Sequence, residues 1–153
     1  MQTKTRMQTT VLSEPVWIIG LELRTSNDVA FKTIPAHWQR FMGEQTLGRI
    51  PNRVSDNVYA VYTNYQNLGV NNQGMYSCVL GAAVTSKEQI PDGLVVVSLP
   101  ASTYQVVPVE RADRVGQAWQ SIWQQDTSQR TFIADTECYY PDGRVEIHLG
   151  IHG

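Results

Sequence analysis

The sequence predicts one α+β domain made of two pseudo-symmetric β-α-β-β repeats, a pair of SH2-like halves with antiparallel strands and a central cleft between them. Three observations predict it. The order strand, helix, hairpin occurs twice along the 153 residues. Each repeat's hairpin is marked by its own turn signal, Asn71-Asn72 with flanking glycines in the first and Pro141-Asp142-Gly143 in the second. The two helices also share a Trp-Gln pair, Trp38-Gln39 and Trp119-Gln120.

The first repeat spans about 15–85. Residues 15–24 (PVWIIGLELR) are rich in β-branched and aromatic side chains and read as a strand. Thr25-Ser26-Asn27-Asp28 offers N-cap candidates for the helix that follows. In that helix Ile34, Trp38, Phe41 and Met42 fall at helical spacing. Pro35 is expected to break or kink it. Residues 43–57 read as a loop, and 57–65 and 75–85 as the two strands of a hairpin.

The second repeat spans about 94–152. Pro91-Asp92-Gly93 turns into an apolar run at 94–99 that reads as a buried strand, followed by a strand at 104–110. Val115, Ala118, Trp119, Ile122 and Trp123 lie on one helical face. Residues 131–140 and 144–151 form the last hairpin. Residues 1–10 are polar, and 1–12 read as a flexible tail, leaving 13–153 as the domain.

Composition narrows the function. Twelve Lys+Arg against fourteen Asp+Glu give a formal charge of −2, with no basic cluster of the kind that grips phosphates. Direct nucleic-acid binding is not expected. No segment approaches the ~18 apolar residues of a membrane span, and the N-terminus lacks a signal-peptide core. A cytoplasmic protein is expected. Cys78 and Cys138 form no CxxC pair and read as small core hydrophobes. Three scattered histidines do not suggest a metal, and His37 and His152 read as solvated. No cofactor is implied, since nucleotide-loop, nucleophile-elbow and zinc-protease motifs are all missing from the sequence.

Glu137 stands out. It lies mid-strand among Ala134, Thr136, Cys138 and Tyr139, and strand parity places it on one face with Ile133, Asp135 and Tyr139. Either that face is open to water, or the carboxylate sits in a cleft and needs a partner, because a buried ion costs several kcal/mol. An organic cation would serve, helped by aromatic faces. Trp38 and Trp119 hold matching places in the two helices, as core residues or as cleft walls. Tyr59 and Tyr65 share a strand face. Glu146 and His148, two apart, form a second polar pair on the last strand, at a cleft or on an exposed edge.

The chain resembles the GyrI-like, AraC-type effector-binding domains. The carrying residues are Ile19-Gly20-Leu21, Ile34-Pro35-x-x-Trp38-x-x-Phe41, Ile50-Pro51-Asn52-Arg53 and Val58-Tyr59-Ala60-Val61-Tyr62 in the first half. In the second half they are Leu99-Pro100-Ala101 with Tyr104, Trp119-x-x-Ile122-Trp123, Phe132-x-x-Asp135-x-Glu137-x-Tyr139 and 145–149 (VEIHL). The match covers about 15–151. The resemblance implies two β-α-β-β repeats around a cleft that binds lipophilic, often cationic, drug-like molecules. It implies that Glu137 meets the positive charge and Tyr139 stacks on the ligand. Trp38, Tyr59 and Trp119 match cleft aromatics. Glu146 and His148 match a last-strand acid and aromatic, with histidine in place of the usual larger ring. Regulators of this type carry a helix-turn-helix, for which this sequence leaves no room. Regulation is therefore expected to run through a protein partner, or the protein sequesters its ligand. Two other functions stay open beside this non-enzymatic one: a small-molecule hydrolase with Glu137 as general base, and an inhibitor-type protein interaction.

Overall fold

The computed structural model describes residues 8–153. The two repeats are present and equivalent. The first consists of β2 (Val16–Ser26), α1 (Ala30–Gly43), β3 (Val58–Thr63) and β4 (Met75–Val84). The second consists of β6 (Ser102–Val109), α3 (Val115–Trp123), β7 (Arg130–Tyr139) and β8 (Val145–Ile151). Each is preceded by a short leading strand, β1 (Gln8–Leu12) and β5 (Val95–Leu99). A helical turn, α2 (Thr46–Arg49), interrupts the expected loop at 43–57.

All the strands belong to one antiparallel sheet of order β1-β6-β8-β7-β3-β4-β2-β5. The halves do not keep separate sheets. They are joined where β3 pairs with β7, from Val58↔Tyr139 to Thr63↔Ala134. The order reads the same from both ends when the repeats are exchanged. The leading strands are swapped: β1 precedes β2 but pairs with β6, and β5 precedes β6 but pairs with β2.

This exchange forces the sheet to curl. β1 and β2 are six positions apart in the strand order, about 29 Å across a flat sheet. The four residue steps from Leu12 to Val16 reach at most about 14 Å. The two ends of the sheet must therefore meet, and Leu12 and Val16 do pack with Leu99, Tyr104 and Ala134. The curl buries the inner face on itself, around Ile18, Val61 and Val79. Both helices lie on the outer face, α1 over Leu21, Ala60 and Leu80 and α3 over Val145, Ile147 and Leu149.

Four expectations need correction. Residues 8–12 are not a tail but an edge strand; 1–7 lie outside the described residues. A Gln-Thr-Thr-Val-Leu run shows no amphipathic signal because ladder hydrogen bonds, rather than burial, hold it. The 94–99 strand lies at an edge and is only half-buried. Its apolar run serves both faces, Val96 packing on the helical side and Val95 and Val97 on the inner side. Pro35 does not break α1. The carbonyl it leaves without a donor is that of Phe31, in an exposed first turn where water can replace the bond. No side chain caps that helix. Thr25 bonds Thr33 (2.6 Å), Ser26 bonds Asp28, and Asn27 accepts from the Tyr76 hydroxyl (2.8 Å).

Gly20 faces Gly81 across β2 and β4. A Cβ on Gly20 would overlap the Leu80 carbonyl, and one on Gly81 the Ile19 carbonyl. Both obstacles are backbone and cannot yield. Gly81→Ala is therefore expected to lower stability by at least the ~1–3 kcal/mol typical of overpacking, read as a reduced midpoint in chemical denaturation. Gly48→Ala, where a Cβ meets nothing, is the matched control and should not destabilise.

Candidate functional site

The cleft opens on the outer face, over the β3–β7 seam, where α1 and α3 stand apart. Alternation along β7 turns Asp135, Glu137 and Tyr139 toward it. Glu137 faces Ala60 on one side and Ile147 on the other, both fully buried, and is itself 2% exposed. Its carboxylate accepts three hydrogen bonds. Tyr62 Oη (2.9 Å) and Trp119 Nε1 (2.6 Å) donate to Oε2, and Tyr139 Oη donates to Oε1 (2.5 Å). All three donors are neutral. Among the described residues no Lys, Arg or His forms an ion pair with Glu137. Burial pushes its pKa up, while the hydrogen bonds from Tyr139, Trp119 and Tyr62 pull the other way. Burial and the Glu137 charge hold the Tyr62 hydroxyl firmly protonated.

Asp135, two residues away on the same face, is treated differently. It is 0% exposed. Its Oδ2 accepts from Arg130 Nη2 (3.0 Å) and Tyr65 Oη (2.6 Å), and its Oδ1 accepts from the Gly150 amide (2.9 Å). Gly150 must be glycine, since a Cβ there would meet the Thr131 hydroxyl at 2.6 Å and the Ala134 carbonyl at 2.9 Å. Arg130 reaches back to Asp135 because β7 is irregular between the two and Phe132 has a positive φ of 51°. That same irregularity ejects Ile133, expected beside Asp135, to the surface.

The cavity above Glu137 holds about 590 Å³. Aromatic edges set its walls. Trp38 meets Tyr139 edge-on at 5.0 Å, and Trp119 meets Tyr62 at 5.7 Å. Tyr76 lies 6.0 Å from both Tyr62 and Tyr65. Ile34 and Pro35 complete the α1 wall, while Phe31 (70% exposed) and Trp123 (51% exposed) stand among the lining residues as exposed rings. Glu137 and Arg130 are the charged side chains in the lining.

The structure brings together Glu137, Tyr139, Trp38 and Trp119 of the residues expected at the site. It places three others elsewhere. Tyr59 lies on the inner face beside Val61 and Val79, because Ala60 and Tyr62 are the β3 residues that face outward. Glu146 and His148 also face inward, since the register sets Ile147 opposite Glu137. Their own contact is real, with His148 Nε2 3.2 Å from Glu146 Oε1 and the Tyr140 hydroxyl donating to the same oxygen at 2.7 Å. Val145, Ile147 and Leu149 take the helix-facing positions, an alternation visible in the sequence. Tyr65 parts from Tyr59 because Asn64 has a positive φ of 52° and reverses the alternation. His37 is buried rather than solvated, its Nε2 against the Leu21 carbonyl at 2.9 Å and the Cys78 carbonyl at 3.1 Å. Sequence reasoning missed Tyr62, Tyr76 and Arg130. Tyr62, five residues after Asn57 on an alternating strand, carried the parity signal that could have found it.

No helix of the described residues is long and apolar enough to cross a membrane. The sequence matches the family model of the integron-associated effector-binding proteins, Cass2, over residues 11–151. It is 29% identical over 136 residues to YobU of Bacillus subtilis (strain 168), a protein named as a transcriptional regulator, covering 82% of each chain. Its fold is shared with the integron cassette protein VCH_CASS2 of Vibrio cholerae, at a TM-score of 0.75 and 19% identity over 95% of both chains. It is shared also with SAV2435, solved bound to tetraphenylphosphonium, at a TM-score of 0.77 and 16% identity over 97% of this chain and 95% of that one. With its family model matched along nearly all of its length, the chain belongs to the Cass2 effector-binding family, with the GyrI-like fold.

Proposed function

We propose that the cleft binds lipophilic organic cations of drug-like size, with Glu137 as the charge partner and Trp38, Trp119, Tyr62 and Tyr139 as aromatic walls. One observation carries this reading. Of two neighbouring buried carboxylates, the described chain supplies a cation to Asp135 and only neutral donors to Glu137. Neutral hydrogen bonds offset part of the cost of burying a charge, which is several kcal/mol per ion. A cation entering the cleft supplies the rest. A delocalised cation is weakly hydrated and gives up little on entry, and each ring face adds about 0.5–2 kcal/mol. The volume of about 590 Å³ suits a molecule of that size. The tetraphenylphosphonium bound to SAV2435 is a ligand of this class. An effector role follows from the family.

Titration calorimetry with tetraphenylphosphonium tests the reading. Glu137→Gln keeps the shape and removes the charge, and is expected to lower affinity about 10- to 100-fold, or ~1.4–2.8 kcal/mol. Equal affinity in the variant and the wild type would sink the proposal.

The pH dependence has a definite sign. The Glu137 pKa is raised in the folded protein above its ordinary 4.5. Between the unfolded and folded values the native state holds the extra proton, so this group's contribution to stability is full below 4.5 and is lost as pH rises through the folded pKa. Without ligand, Glu137→Gln should therefore gain stability relative to the wild type on going from acid to neutral pH, as followed by denaturant midpoints at each pH. Cation binding has the opposite trend. It needs the carboxylate, and affinity should fall as pH drops through a midpoint above 4.5.

A further inference from the structure

We infer that the cleft has a second recognition pole, in which Arg130 donates to a neutral hydrogen-bond acceptor on the ligand, so that the preferred ligands are cations bearing an ester, amide or ketone oxygen at some distance from the charge. The inference rests on the proposed cation site and specifies its ligand further.

Arg130 lines the same cavity as Glu137, yet its side chain is only 6% exposed. A buried guanidinium normally has its donors satisfied. Here one arm, Nη2, bonds Asp135 at 3.0 Å. Nε is buried with no partner, and Nη1 makes no hydrogen bond among the described residues. The ring of Phe132, 4.7 Å from the guanidinium carbon, covers one face without accepting a hydrogen bond. The protein thus keeps an under-satisfied cation at the edge of an apolar cavity, which is costly unless something else fills the role. Nη1 is the arm left for a ligand, because Nε is sealed from solvent.

Charge decides what kind of acceptor fits. Arg130 is already neutralised by Asp135, and Glu137 leaves the lining with one negative charge. A cationic ligand with a neutral acceptor brings the site to zero. A carboxylate would face two buried acids and one shared arginine, and is disfavoured. The poles are set apart by the β7 strand, since Asp135 and Glu137 are two residues, about 7 Å, from each other, and Arg130 pairs with Ile151, beyond the Asp135–Leu149 and Glu137–Ile147 pairs along β8. Tyr65 and Tyr76 line the same cavity, their rings 6.0 Å apart.

The test is a calorimetric comparison of two probe series of increasing chain length. In one, a trimethylammonium head carries an alkyl chain ending in a methyl ester; in the other, the chain ends in an alkyl group of equal heavy-atom count. Although the ester is the less lipophilic, it is expected to bind about ten-fold tighter at one favoured length. That advantage should vanish in the paired variant Arg130→Met/Asp135→Asn, which removes the guanidinium donors and leaves no bare buried acid. Ester binding no tighter than alkyl at every length in the wild type would overturn the inference, as would an advantage that survives in the paired variant. Glu137→Gln separates the two readings: it should weaken both series equally and leave the ester-to-alkyl ratio intact. If it weakens neither, the cation reading fails while the ratio still tests the Arg130 pole.

Discussion

The pairing of β3 with β7 places a strand from each repeat side by side at the centre of the sheet, and the site inherits its geometry from that seam. Ala60 is opposite Glu137, so the carboxylate has a small neighbour beneath the cleft. Tyr62, one alternation further along β3, then reaches Glu137 from the other half of the molecule. Trp119 and Tyr139 come from the second repeat, Trp38 from the first. A one-residue slip in this register would turn Thr136 and Cys138 toward the helices and send Glu137 into the inner core. The curl imposed by the exchanged leading strands resists such a slip, because both ends of the sheet are tied through short connections.

Glu137 is therefore held by backbone geometry rather than by a counter-ion, and this distinguishes it from Asp135. Asp135 is a closed network: arginine, tyrosine and backbone amide each donate to it, and the Gly150 amide fastens the β7–β8 junction. Glu137 has donors but no opposite charge. For the proposed cation site this absence matters, since an arginine in place would compete with the ligand. The cost falls on stability. Three neutral donors moderate it by hydrogen-bonding the carboxylate inside a low-dielectric pocket.

How much of this was legible in the sequence depended on whether a signal was local. The two repeats could be read because periodicity and turn residues are local, and β5's apolar run correctly marked a strand. The exchange of the leading strands was not legible, because partner choice at a sheet edge leaves no pattern in the strand itself. Strand parity and the matched helices marked Glu137, Tyr139, Trp38 and Trp119 as candidates, and the family resemblance gathered them into one cleft. Tyr59, Glu146 and His148 were misplaced for one shared reason: alternation assigns residues to two faces but does not say which face meets the helices. The apolar alternates, Val145, Ile147 and Leu149, decide that on β8. Tyr65 and Arg130 depended on backbone irregularities at Asn64 and Phe132, where non-glycine residues take a positive φ that composition does not announce.

The two walls of the cleft are not anchored alike. α1 is fixed independently of the site, by fully buried Phe41 and by the His37 ring against two carbonyls of the sheet. α3 is shorter, buries Val115 and Ile122, and is otherwise tied to the floor through Trp119 Nε1 and Glu137. The group that would meet a cation is thus also the group that holds one wall in place. A positive charge drawn to Oε2 competes directly with the indole donor there, whereas nothing at the α1 wall bonds the carboxylate. In a fold whose sheet is locked by its own closure, α3 is the element whose position is most directly coupled to the charge state of the site.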